Sequence, residues 1–158
     1  MAEFERYDIY MLLNQSGPLW LTGIDLSGMD LRGVNLRGAT LMRANLSNSH
    51  LEGCDLRDAN LGGINLNGAF LVGADLRKAS LKGAQLQGTD LRECNLAEAD
   101  LFEADLSGAN LLAANLGGAD LTNVNLTNAN LLNTNVPDYR ILRAKSLSGA
   151  TLPDGTKI

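Results

Sequence analysis

Leucine recurs at every fifth residue from Leu21 to Leu131, and Val136 takes the next place in the series. No regular secondary structure has that period. Five residues advance an α-helix by roughly 140° past a full turn, so the leucines would spread over every side of the cylinder. In an extended strand the side chains alternate at period two, so an odd spacing would send successive leucines to opposite faces. A chain that buries all of them on one side must reset the alternation once per unit, and a turn does that.

The remaining places of the unit agree. From Ile24 to Asp138 there are 23 consecutive five-residue units without an insertion, and 22 carry leucine at the centre. Thirteen have alanine two places before the central residue and 18 have aspartate or asparagine just before it, so one flank is small and the other polar. The second place after the centre is glycine or asparagine in 15 units. Those residues accept the positive φ required at the third position of a type II turn. Each unit therefore reads as a three-residue strand stub followed by a corner. The small residue and the leucine point inward and the Asp or Asn points to solvent. A buried leucine in every unit also argues against a solvated low-complexity tract.

A coil of twenty residues, four units, brings Gly28, Asn48, Gly68, Gly88, Gly108 and Asn128 into one column, and Arg37, Arg57 and Arg77 into another. Runs such as Ala104–Asp105–Leu106–Ser107–Gly108 and Ala114–Asn115–Leu116–Gly117–Gly118 resemble the pentapeptide-repeat family. The resemblance spans residues 19–138. It implies an all-β fold, a right-handed quadrilateral β-helix with leucine and the small residue inside. Just under six coils at the spacing of neighbouring strands make a tower about 28 Å tall.

Three regions are expected. Residues 1–18 read as a short N-terminal capping helix, with Phe4, Tyr7 and Met11 on one helical face and Gly17–Pro18 ending it. Residues 19–138 form the β-helix. Residues 139–158 read as a partial coil or tail, because Leu142, Leu147 and Leu152 are one residue out of phase, with the slip placed at Pro137–Asp138.

Chemistry is sparse. The single histidine, His50, precedes Leu51 on the outside and has no second histidine for a metal site or a triad. Cys54 and Cys94 share the inner small-residue column two coils apart. That is about 9–10 Å, beyond the reach of a disulfide. The many aspartates lie outside a bore filled by leucine, which offers no pocket to shift their pKa values. The reading is a non-enzyme without cofactor or metal. A net charge of −5 opposes direct nucleic-acid binding. No run of eighteen apolar residues exists to span a membrane, and the first residues lack a secretory signal, so a cytoplasmic protein is expected.

What remains is binding. On one face the outward place after the centre reads Arg32, Glu52, Val72, Arg92, Leu112, Leu132, and Phe70 takes a place usually held by Asp or Asn. Leu112 and Leu132, with Phe70 and Val72, are the first candidate interaction residues, expected to stand stacked and exposed. Arg37, Arg57 and Arg77 are the second. The function expected is a protein–protein interaction module or scaffold, its partner another protein or a second copy of the chain. The family resemblance adds an alternative, a DNA-mimicking inhibitor of a DNA topoisomerase such as gyrase. Against it, no central place holds phenylalanine, and Pro137, Pro153 and Gly155 interrupt any C-terminal dimerisation helix.

Overall fold

The computed structural model describes residue 17 and residues 19–158. The expected N-terminal capping helix lies outside the described residues. From Trp20 to Asn130 every bridge is parallel and joins residue i to residue i+20, as in Trp20–Thr40, Asp55–Asp75 and Asn110–Asn130. The chain is a solenoid of four units per coil. Its four faces are named here by their first central leucines: Leu21, Leu26, Leu31 and Leu36.

One unit, Ala74–Lys78, shows why the consensus is what it is. The Ala74 N–H closes the preceding corner onto the Leu71 carbonyl at 2.9 Å. The Asp75 N–H reaches down to the Cys54 carbonyl at 2.9 Å, and the Leu76 and Lys78 N–H groups reach up to the Asn95 and Ala97 carbonyls at 2.7 and 3.0 Å. The Arg77 N–H has no backbone partner, and the Asp75 side chain accepts it at 3.2 Å. All five amides of the unit are satisfied, as backbone packed this closely requires. The Asp or Asn before each leucine is therefore more than a solvated residue: it caps the amide two residues on.

Each corner holds its third residue at positive φ, including eleven that are not glycine, such as Arg43, Lys78 and Glu103, with φ of 55–61°. None of the eleven is β-branched, the class for which this conformation is most costly.

The bore is filled. Every central leucine from Leu21 to Leu131 is buried, with the inner alanines between them. Each leucine contributes about 1.5–3 kcal/mol of burial before chain entropy is charged against it. Small polar residues in the inner column bond to nearby carbonyls: the Thr89 hydroxyl donates to Leu66 O at 2.9 Å and the Ser49 hydroxyl to Leu46 O at 2.7 Å.

The phase slip is real but lies later than Pro137–Asp138. Val136 and Ile141 are both buried and five residues apart, so the core phase runs through a single helical turn, α1 (Asp138–Ile141). The extra residue falls between Ile141 and Leu147, in the bend after α1. Leu142, expected in the shifted series, is exposed because Ile141 has taken the inner place. Beyond the bend Ser146 pairs with Asn125 and Thr151 with Asn130, an offset of 21 residues. Where the ladder is interrupted, side chains replace backbone. The Asn135 amide oxygen accepts the Leu116 N–H at 2.7 Å, and the Arg140 guanidinium donates to the Ala119 carbonyl at 2.9 Å.

The residues after the bend add a further, incomplete coil. Ala150 is buried and Leu152 packs against the core. The chain then turns back, so that Lys157 pairs antiparallel with Thr151.

Candidate functional site

The Leu31 face gathers Phe70, Val72, Leu112 and Leu132, as the twenty-residue register requires. Phe70 is exposed and stacks on His50 one coil below, with ring centroids 4.9 Å apart and planes 10° from parallel. The His50 Nδ1 lies 3.2 Å from Glu52 Oε1. A phenyl ring accepts no hydrogen bond from the Val72 N–H, so this unit forgoes the cap that Asp75 provides in the next.

The four residues do not make one continuous apolar surface. Arg92, held on Asp90 by bonds of 2.8 and 2.7 Å, stands between Val72 and Leu112. Leu112 and Leu132 were expected to be exposed; both are half-buried. The returning tail comes close to Leu132: its Cδ1 lies 3.6 Å from where a side chain on Gly155 would begin. That approach is absent from the five-residue pattern, since Gly155 lies beyond the phase slip.

The arginine column on the Leu36 face is neutralised by its neighbours. Arg57 and Arg77 each grip the aspartate two residues before them, Asp55 and Asp75, through two guanidinium nitrogens. Arg37, which has the uncharged Asn35 two residues before it, pairs instead with Asp58 in the coil above, at 3.2 Å. The arginine hydrogen bonds hold the Asp55 and Asp75 carboxyls below the usual carboxylate range. A guanidinium already engaged in this way has fewer donors for an acidic partner.

Both cysteines lie in the bore as free thiols. Each Sγ points at the carbonyl of a central leucine one coil below, Leu31 for Cys54 and Leu71 for Cys94. Burial pushes the Cys54 thiol up to about 11 and the Cys94 thiol up to about 12. The reactive species is the thiolate, so at pH 8 neither cysteine should react with a thiol reagent in the folded protein. Both should react on unfolding. Rapid modification of the native chain, or an intramolecular disulfide formed without denaturation, would contradict their inward placement.

Charge is unevenly spread along the tower. Between residues 83 and 136 there are seven acidic residues and one basic residue, Arg92. Glu93, Glu98 and Glu103 occupy three successive corners of one coil at positive φ, all exposed.

The repeat, the corners and the four-sided ladder agree with a comparison against family models. The chain matches "Pentapeptide repeats (8 copies)" over residues 21–58, 54–92, 79–111 and 104–136. It belongs to the pentapeptide-repeat family. Among solved structures it resembles the pentapeptide-repeat protein Rfr23 from the cyanobacterium Cyanothece 51142, at 30% identity and a TM-score of 0.55, over 63% of this chain and 85% of that one. It resembles alr5209, a pentapeptide-repeat protein from Nostoc Pcc 7120, at 34% identity and a TM-score of 0.52, over 70% of this chain and 82% of that one. QnrB1, a plasmid-mediated fluoroquinolone resistance protein, matches at 22% identity and a TM-score of 0.52, over 87% of this chain and 80% of that one, and shares the fold. No curated protein matches the chain. Among the described residues of this pentapeptide-repeat chain, no helix is long and apolar enough to cross a membrane.

Proposed function

We propose that the protein is a non-enzymatic interaction module that presents its Leu31 face to a protein partner. The observation that carries this is the departure of that face from the repeat's own rule. Phe70 stands where an Asp or Asn would cap the Val72 N–H, and Leu112 and Leu132 fill, in consecutive coils, an outward place held by Arg32, Glu52 and Arg92 in other coils. Places where a repeat departs from its own local rule are where function is sought. Leu112 and Leu132 make a small apolar pair beside the charged Arg92, and apolar outward residues grouped on one face are a common mark of a protein interface. Outward side chains on a face repeat at about 4.8 Å, so a partner would meet a regularly spaced row of residues.

Replacing Leu112 and Leu132 together by glutamate tests the reading. Neither side chain fills the bore, so the β spectrum should persist and the melting temperature should fall by only a few degrees. Self-association in sedimentation, or capture of a protein partner from the native cell, should drop at least tenfold. Undiminished association with an intact fold would move the interface elsewhere, and the Arg37–Arg57–Arg77 column would be examined next.

A second reading, a DNA-mimicking inhibitor of a DNA topoisomerase, draws on the acidic stretch from residue 83 to residue 136. Inhibition of supercoiling by purified gyrase, lost when Glu93, Glu98 and Glu103 are all replaced by lysine, would favour it over the first. Indifference of the enzyme to the wild-type protein would end it.

A further inference from the structure

Most of the exposed large apolar residues lie away from the Leu31 face. Six are exposed among the described residues, and four of them, Trp20, Met42, Tyr139 and Leu142, stand on the opposite, Leu21 face. Ile141 continues the buried column of Leu21, so Leu142 takes the outward place that Met42 holds five coils below. From Met42 upward that place reads Met42, Gly62, Lys82, Phe102, Thr122, Leu142.

Gly62 leaves a dent in this row. It lies outside the corners and its φ is not positive, so the backbone does not call for glycine there. A side chain starting on it would meet only Asn60 Oδ1 at 3.5 Å and Met42 Cε at 3.9 Å, both ordinary contacts. Two coils higher the same place holds the half-buried ring of Phe102. The coil between them carries Lys82, whose Nζ lies 3.0 Å from Asp100 Oδ2 in the coil above. Arg43 and Glu103 stand beside this row, on the corner shared with the Leu26 face. Both are exposed, and neither has an ion pair among the described residues. The Arg43 Cγ lies 3.6 Å from where a side chain on Gly63 would begin, so the arginine runs up to the level of the dent.

We propose that the Leu21 face is the contact of a dimer of this chain, with two towers side by side and antiparallel. A two-fold contact is isologous: where one residue meets a second, the second meets the first across the axis. With the axis at the level of Lys82, each coil faces the coil equally far on the other side. Phe102 of one copy then lies over the Gly62 dent of the other. Glu103 faces the level of Gly63, to which the other copy's Arg43 reaches. Met42 meets Thr122, and Trp20 meets the level of Tyr139 and Leu142. One register therefore gives the ring a dent, the acid a base and Trp20 an apolar cover, each of them twice. The two lysines at the axis lean toward their own Asp100 residues, to opposite sides, and stand apart. One face is somewhat less than a quarter of the chain's 7822 Å² of surface, which leaves room for the roughly 800 Å² per partner of a stable interface. Both Leu31 faces stay open on the outer sides.

Sedimentation and the fluorescence of Trp20, the single tryptophan, test this on the full chain. The wild type should pass from monomer to dimer as concentration rises, and Trp20 emission should move to shorter wavelength with it. Gly62→Phe fills the dent and should raise the dissociation constant tenfold or more, with the monomer's melting little changed. Arg43→Glu and Glu103→Arg each set like charges opposite one another and should each weaken the dimer about tenfold. Together they exchange the signs, and the double variant should return to within about threefold of the wild type. Leu112→Glu with Leu132→Glu should leave this dimer intact, since its effect is on partner capture. Four results would overturn the proposal. A wild type that stays monomeric at millimolar concentration would give the face to a different protein. A dimer indifferent to Gly62→Phe would be joined end to end. Charge reversals whose losses add instead of cancelling would separate Arg43 from Glu103. Loss of the dimer in the Leu112 and Leu132 double variant would place it on the Leu31 face. The charge reversals lie wholly on the surface, so they decide the matter even if Gly62→Phe fails to fold.

Discussion

Leu76→Arg should unfold the coils around it. Leu76 is fully buried in the middle of the tower, with Leu56 below and Leu96 above in the same column. The bore around it is filled by leucine and alanine, and no buried residue among those described is an acid that could pair with a guanidinium. An unpaired buried charge costs about 4 kcal/mol or more, set against a typical net stability of about 5–15 kcal/mol for a whole domain. Coils touch only their neighbours, so the damage should centre on residues 56–96 and spread by uncoupling the two ends of the stack. Circular dichroism on heating should show a melting temperature lowered by 15 °C or more, and hydrogen exchange should show lost protection in the coils of Leu56, Leu76 and Leu96. The same change at Leu152 should cost far less, since that side chain is only partly buried and can swing its charge to water. A soluble Leu76→Arg protein with unchanged melting would remove leucine from the bore and with it the fold.

Gly68→Val should cost about 2–3 kcal/mol, from two sources that can be separated. Gly68 sits at a corner with φ of +65°, where a side chain of ordinary handedness is strained by about 1–2 kcal/mol and a β-branched one by more. A Cβ there would also lie 2.6 Å from the Asn48 Oδ1 in the corner one coil below. Gly88, the next corner in the same column, has φ of +63° and nothing within 4 Å of its Cβ position. Gly88→Val should therefore show the backbone cost alone, and the difference between the two melting curves isolates the contact with Asn48. Gly68→Val in an Asn48→Gly background should recover that difference. Equal losses at both corners would dismiss the contact, and no loss at either would dismiss the left-handed corner.

The bore was legible because a leucine at period five admits few geometries, and the corner because Gly28 and Asn48 announce positive φ. The twenty-residue coil was legible from columns such as Arg37–Arg57–Arg77, which the ladder brings together. Other features depend on distances that a linear reading does not contain. The role of Asp75 as a cap became visible only once the Arg77 amide was found without a backbone partner. Pro137–Asp138 reads as a break in the sequence, yet the helical turn Asp138–Ile141 keeps Ile141 in phase, and the extra residue falls after it. The approach of the tail at Gly155 to Leu132 is another, since no repeat register connects the two. The candidate interaction residues were legible only as a set of exceptions, because a repeat marks its variable places but not what meets them.

The four-sided register has a bearing on how such a chain changes over generations. Gain or loss of one five-residue unit leaves every leucine in the bore, so the interior barely registers the event. Outside, every residue beyond that point moves a quarter turn: Leu112 and Leu132 would leave the face of Phe70 and join the neighbouring one. Gain or loss of twenty residues shifts nothing sideways and only lengthens or shortens the tower. A lineage can therefore revise which surfaces lie side by side by adding or deleting single units while the interior stays conserved, and the bend after Ile141 shows that even a one-residue insertion is absorbed within a single coil.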